Sequence, residues 1–109
     1  MKYFITEQER TSTDYHEWKK GEFTGKYWAN DSLLLSDNTL INIKMDEFLE
    51  RILPDYDPYE NYVLSKELWD LIEKEALNEG GEIFECIEEA KPWAKQTFQE
   101  YNCITIIGV

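Results

Sequence analysis

Residues 65–81 read SKELWDLIEKEALNEGG, and this segment predicts a helix with defined ends. Ser65 is a favourable N-cap, because its side-chain oxygen can accept a hydrogen bond from a backbone N–H of the first turn. Apolar residues recur at helical spacing and define one buried face. They are Leu68, Trp69, Ile72 and Ala76. Gly80 and Gly81 end the helix, since glycine accepts the positive φ that helix C-termini commonly need.

Two further helical regions are predicted, one on each side of this helix. Before it, apolar residues recur at i, i+3, i+4, i+7 and i+8, which predicts an amphipathic helix over residues 46–53. They are Met45, Phe48, Leu49, Ile52 and Leu53. Pro54 stops this helix, because the residue before a proline is disfavoured in helical conformation. After the central helix, residues 82–101 predict a helical region that Pro92 breaks or kinks, or in which Pro92 starts a second helix.

The N-terminal third carries weaker signals. Residues 2–6 are rich in β-forming residues and predict the first strand. Residues 15–21 are ambiguous between a short helix closed by Gly21 and irregular structure. Residues 23–28 mix aromatic residues with Gly25, which favours a strand with a bulge or bend.

Two apolar runs, residues 31–35 and 39–43, flank Ser36-Asp37-Asn38, and this arrangement predicts a β-hairpin with a short loop. Residues 103–107, CITII, close the chain as a strand that is apolar enough to lie inside a sheet. The order is mainly strands, then helices, then one strand. It predicts a single α+β domain over residues 1–109, a small mainly antiparallel sheet with three or four helices packed on one face.

The acidity of the chain is concentrated in residues 46–89. The 109 residues have a net charge of −12, and residues 46–89 alone, with fifteen acids and three bases, account for all of it. Lys66–Asp70 and Asp70–Lys74 are i, i+4 pairs that neutralise part of the surface. The net charge of −12 still exceeds the magnitude of about 2–8 that keeps a small domain soluble. This excess indicates a basic partner and disfavours nucleic acid and anionic membrane.

Composition favours a folded cytoplasmic domain. Aromatic residues make up 15% of the chain, whereas disordered acidic tails have few. No apolar run approaches the roughly 20 residues of a membrane span, and the N-terminus becomes charged too early for a signal peptide. Cys86 and Cys103 are expected to be buried thiols of a reducing compartment, with a disulfide as the less favoured alternative.

Residues 55–57, Asp-Tyr-Asp, begin like a calcium-binding loop, but the rest of that template is absent. Tyr59 stands where the loop needs an acid or amide, Glu60 where it needs glycine, and Lys66 where it needs glutamate. We therefore expect no calcium site, and no other metal or cofactor is indicated.

His16 is the single histidine of the chain. With Asp14 and Glu17 it could act in acid–base chemistry, because its pKa ordinarily lies near neutrality. A surface or hydrogen-bonded histidine is the favoured interpretation, since nothing beside it positions a nucleophile. We expect this protein not to be an enzyme.

The segment DYDPYENY at residues 55–62 is a candidate binding loop. Its tyrosines alternate with acids and prolines, and tyrosine is favoured in interfaces because it offers large area at low entropic cost. Alternatively, one or two of these tyrosines fold back over the core as a lid. With two acids of the central helix, the loop supplies the candidate partner-binding residues. They are Asp55, Tyr56, Asp57, Tyr59, Glu60, Asp70 and Glu73.

The chain resembles the small acidic immunity proteins of bacterial contact-dependent inhibition and polymorphic toxin systems. The resemblance covers most of the chain and rests on its size, its acidic helices, the helix core KELWDLI at residues 66–72, and the terminal strand CITIIG at residues 103–108. It implies binding and neutralisation of a cognate toxin domain, often a basic nuclease, by blocking its active site or an essential surface. No family motif carries over a functional residue.

The alternative function is a small cytoplasmic ligand-binding or accessory domain without an inhibitory role. A preformed apolar pocket with a few converging polar groups would favour this alternative.

Overall fold

A five-stranded antiparallel sheet and four α-helices make up the described part of the chain. The computed structural model describes residues 1–108. The strands are β1 (Phe4–Ile5), β2 (Tyr15–Lys20), β3 (Leu33–Ser36), β4 (Tyr62–Leu64) and β5 (Ile104–Ile107). The helices are α1 (Asp37–Asn42), α2 (Met45–Ile52), α3 (Lys66–Glu79) and α4 (Gly81–Glu100). The strand order is β1-β3-β2-β5-β4 with antiparallel pairing throughout, so the predicted α+β class is confirmed.

The helices cover one face of the sheet, and Trp18 of β2 lies at the centre of the contact. Its side chain is fully buried. The ring packs edge-on against Phe4 of β1, with centroids 4.9 Å apart, and against Trp69 of α3, with centroids 6.2 Å apart. Such T-shaped aromatic pairs contribute beyond the area they bury. The aromatic cluster therefore fixes α3 against the middle of the sheet.

The predicted helices α2 and α3 are confirmed to within about a residue at each end. Ser65 caps α3, because its Oγ accepts a hydrogen bond from the N–H of Leu68 at 3.2 Å. Gly80 ends the helix with a φ of 71°. The predicted β5 is also confirmed, and it lies inside the sheet between β2 and β4.

The predicted hairpin over residues 31–43 is wrong in its second half. β3 is present, but the chain then enters α1 directly. Ser36 is the N-cap, since its Oγ accepts a hydrogen bond from the N–H of Thr39 at 3.1 Å. Serine, aspartate and asparagine favour helix N-caps as well as turns, because in both cases their side chains bond to nearby backbone groups. The residues Ser36-Asp37-Asn38 are therefore compatible with a hairpin turn and with a helix N-terminus.

The expectations for residues 15–21 and 23–28 are also corrected. Residues 15–20 form β2, the middle strand of the sheet, and are neither helical nor irregular. Residues 23–28 contain no strand, and positive φ values of 91° at Gly25 and 67° at Trp28 interrupt extended backbone there. The apolar pattern did not predict this strand, because the second face of β2 buries a charged residue, Glu17, where a strand buried on both faces usually has an apolar one.

A loop that includes residues 21–32 covers the sheet face opposite the helices, and Glu17 anchors it. The Glu17 side chain is 1% exposed. One carboxylate oxygen accepts a hydrogen bond from the N–H of Trp28 at 2.7 Å. The other accepts from the N–H of Ala29 at 2.9 Å and from the hydroxyl of Ser32 at 2.6 Å. The buried charge is thus satisfied by three donors of the covering loop.

Helix α4 is continuous over 20 residues and contains Pro92. Pro92 therefore neither breaks this helix nor starts a second one. Within residues 1–108, no helix combines the length and the apolar character that crossing a membrane requires.

Candidate functional site

Tyr56 in the candidate binding loop is buried. It is 8% exposed, and its ring packs against that of Tyr62 with centroids 5.6 Å apart. Burial raises the pKa of Tyr56, and the charges of Asp46, Glu50 and Asp57 raise it further. Tyr56 therefore acts as a lid residue over the core and is not available to a partner in this conformation.

Tyr56→Phe tests this placement. The Tyr56 hydroxyl is buried and has no hydrogen-bond partner within residues 1–108. An unpaired buried hydroxyl destabilises the fold, so its removal should leave stability unchanged or raise it by up to about 1 kcal/mol. Urea denaturation followed by tryptophan fluorescence measures the change, and a clear loss of stability would contradict the unpaired assignment.

The rest of the loop faces solvent. Asp55, Tyr59 and Glu60 are exposed, with Tyr59 at 74%, and Asp57 is half-buried. A carboxylate oxygen of Asp57 accepts a hydrogen bond from the N–H of Tyr59 at 2.8 Å, which shapes the tip of the loop. The loop is also held at its base, because the hydroxyl of Tyr62 donates to the carbonyl of Pro54 at 2.8 Å. Tyr59 and the loop acids are thus presented on an ordered backbone.

The two other candidate residues, Asp70 and Glu73, lie elsewhere, on the side of α3 that borders α4. Asp70 forms an ion pair with Lys66 at 2.5 Å, as the i, i+4 spacing predicts. This hydrogen bond raises the pKa of Lys66. Glu73 accepts a hydrogen bond from the indole of Trp69 and lies 3.9 Å from the ammonium of Lys91. Within residues 1–108, no hydrogen bond or ion pair joins this pair of acids to the loop.

Two acids of α2 belong with the loop instead, although they are not among the candidates that the sequence indicated. Burial raises the pKa of Tyr56, and the charges of Asp46 and Glu50 add to this shift as that of Asp57 does; burial and, after it, the charge of Asp55 likewise raise the pKa of Tyr62. We call this set the acidic surface. It comprises Asp46, Glu50, Asp55, Asp57 and Glu60, of which Asp46 and Asp57 are half-buried, with one carboxylate oxygen of Asp46 inaccessible to solvent. None of these five acids forms an ion pair with a base of the described chain, in contrast to Asp70 and Glu73.

Other acids of residues 46–89 hold the fold together. Glu89 of α4 accepts hydrogen bonds from the backbone N–H groups of Lys2, Tyr3 and Phe4 at 2.8–2.9 Å. Glu85 accepts a hydrogen bond from the hydroxyl of Tyr3 at 2.6 Å. These carboxylates fasten the N-terminal strand to α4, so they are not free for a partner.

His16 is buried and hydrogen-bonded. Its ring is 1% exposed, and its Nε2 lies 3.0 Å from a carboxylate oxygen of Asp37, the first residue of α1. Glu17, its neighbour in the sequence, points to the opposite face of the sheet, since neighbouring strand residues alternate. The structure thus supports the hydrogen-bonded interpretation of this histidine over the acid–base one.

Cys86 and Cys103 are free and buried, as expected, and burial raises the pKa of both thiols. Within residues 1–108 no cluster of three or more His, Cys, Asp or Glu side chains has the geometry to hold a metal ion. The acidic surface beside Tyr56 is therefore the candidate functional site.

Comparison of the chain with protein-family models, with curated proteins and with solved structures finds no match.

Proposed function

We propose that this protein is an immunity protein, a non-enzymatic inhibitor that binds and neutralises a basic toxin nuclease domain. The observation that carries the proposal is the acidic surface, where five carboxylates of α2 and the 55–60 loop lie without ion-pair partners in residues 1–108. Unpaired like charges raise the energy of the isolated protein, and a cationic partner relieves that repulsion.

The charge layout supports a one-sided encounter. Residues 46–89 carry the whole net charge of −12, and they include α2, the 55–60 loop, β4, α3 and the first half of α4. The three helices of this set lie in the helical layer, whereas the loop over residues 21–32 on the other sheet face belongs to the neutral remainder of the chain. Such an asymmetric field orients a basic partner during approach, and steered association reaches about 10⁸–10⁹ M⁻¹s⁻¹ at low salt.

The contact itself is proposed to centre on the loop. Tyr59 is exposed between Asp57 and Glu60, and its ring can be buried against the partner while its hydroxyl remains hydrogen-bonded. The carboxylates around it imitate the phosphates that a nuclease binds. Asp70 and Glu73 would contribute less, because Lys66 and Lys91 already compete for them.

Reversal of two loop charges tests the proposal. Asp57→Lys with Glu60→Lys should slow association with the toxic domain encoded by the neighbouring gene by about tenfold at low salt, and should flatten the salt dependence. The matched control is Glu22→Lys with Asp31→Lys, which makes the same change in net charge at exposed residues outside the helical layer. Stopped-flow association at several salt concentrations provides both measurements.

Co-expression gives the functional counterpart of this experiment. The unaltered chain should rescue cells from the toxic domain, the loop variant should rescue them poorly, and the control should rescue them fully. If the loop variant and the control associate at the same rate, the acidic surface is not the docking site. If the unaltered chain neither binds nor rescues, the proposed function itself is wrong.

A further inference from the structure

A cavity of about 360 Å³ opens on the sheet face opposite the helices. Three of its lining residues are aromatic, namely Tyr15, Tyr27 and Trp28, and Glu17 also contributes to its wall. The end of β5 closes it on another side. The cavity adjoins the 55–60 loop at Gly108, but none of the five acids of the acidic surface lines it, and its ligand is inferred independently of the proposed function.

The aromatic side chains of this cavity are held in an open arrangement. The rings of Tyr27 and Trp28 have centroids 6.3 Å apart and planes inclined at 44°. Tyr27 is 57% exposed, although a tyrosine in a loop gains stability by lying flat on the core. Trp28 has a φ of 67°, a left-handed conformation that costs about 1–3 kcal/mol for a bulky residue. The N–H of Trp28 is bound by Glu17, so a buried carboxylate maintains the strained placement of this ring.

The electrostatics of the cavity favour a cation. The Glu17 carboxylate is buried, and its three hydrogen-bond donors are neutral groups, so its negative charge is not cancelled by them. Arg10, a nearby cation, is paired with Glu7 at 2.7 Å. Within residues 1–108, Glu17 is the single charged residue that lines the cavity. At the rim, the backbone of Glu60 packs directly against Gly108, which lines the cavity, and brings a further acid close.

One cation of the chain already lies over the Trp28 ring. The guanidinium carbon of Arg10 lies 4.3 Å from the centroid of the Trp28 ring, within the range of a cation–π interaction. Trp28 is among the residues that line the cavity, and Arg10 is not. Tilted aromatic rings beside an anionic group are the arrangement that recognises alkylated ammonium ions, because such ions combine a diffuse charge with an apolar shell.

We propose that the cavity formed by Tyr15, Tyr27 and Trp28 beside Glu17 binds a small organic cation with an alkylated ammonium head group. The rings contact the methyl groups and the charge, and Glu17 supplies the long-range attraction. The volume accommodates such a head group with part of its chain. The site is specific for charge as well as shape, so a neutral molecule of the same size binds more weakly.

Choline and its neutral isostere 3,3-dimethyl-1-butanol separate the two contributions. In a ¹H–¹⁵N NMR titration of the full chain, choline should shift the backbone and indole signals of Trp28, and the isostere should bind about tenfold more weakly, as expected for loss of one or two cation–π contacts. Equal affinity for both molecules would show a merely apolar cavity and would overturn the proposal. An absence of shifts at Trp28 with choline at tens of millimolar would overturn it as well.

Tyr27→Leu is the decisive variant, because Tyr27 is exposed and its replacement keeps apolar bulk while it removes the aromatic face. We expect choline affinity to fall about fivefold and affinity for the isostere to stay the same, as one lost cation–π contact would produce. Tyr101→Leu is the matched control, since Tyr101 is exposed to a similar degree and lies outside this cavity. If Tyr27→Leu and the unaltered chain bind choline with equal affinity, the proposed aromatic site for the cation is wrong.

Discussion

Glu17→Ala is expected to lower the free energy of unfolding by about 3–5 kcal/mol, because it leaves one buried and two partly buried donors without an acceptor. Those donors are the N–H groups of Trp28 and Ala29 and the hydroxyl of Ser32. Each unsatisfied buried donor costs about 1–3 kcal/mol, and the removed side chain leaves a cavity in addition. Urea denaturation monitored by circular dichroism measures the loss.

Glu17→Gln and Glu22→Ala complete this experiment. The glutamine keeps the size of the side chain but directs an amide N–H₂ group toward groups that are themselves donors, so we expect it to lose at least half as much stability as alanine. Glu22 is exposed, and its truncation should change stability by less than about 0.5 kcal/mol. If Glu17→Ala and Glu22→Ala are equally stable, the covering loop does not depend on the buried carboxylate.

Glu17 also explains why the N-terminal half of the fold was difficult to predict. Helices α2 and α3 follow from local sequence, since apolar spacing and a terminating proline or glycine lie within each segment, and α3 has a serine cap in addition. β2 has no such local signature. Its second face is buried by a loop from residues 21–32, and the buried position holds a carboxylate whose partners lie at least eleven residues away. Only the tertiary structure brings these partners together.

The candidate site shows the same division between local and long-range information. The concentration of acids in residues 46–89 could be inferred from composition, and the presence of a loop from its turn residues. The association of Asp46 and Glu50 with the 55–60 loop could not, because it depends on how the chain folds back after Pro54. Nor could the burial of Tyr56, since a tyrosine between two aspartates fits a lid and a contact residue equally well.

Pro92→Ala is expected to stabilise the protein by about 2 kcal/mol. Proline inside a helix costs about 3 kcal/mol relative to alanine, because it lacks the N–H for the carbonyl four residues earlier and its ring crowds that carbonyl. Part of this gain, at most about 1 kcal/mol, is lost because the unfolded chain has more conformational freedom with alanine than with proline. Pro92 is exposed inside a continuous helix, so alanine can restore the hydrogen bond to the carbonyl of Glu88 without disturbing the core.

Lys95→Ala is the control for this substitution, because Lys95 is exposed one turn later on α4 and lysine and alanine both have high helix propensity. It should change stability by less than about 0.5 kcal/mol in urea denaturation. The opposite result for Pro92→Ala would be equally informative. The indole N–H of Trp93 donates to the carbonyl of Asp31 at 2.7 Å and so ties α4 to the segment that leads into β3. A loss of stability in Pro92→Ala would mean that the proline sets the helix geometry that this contact requires.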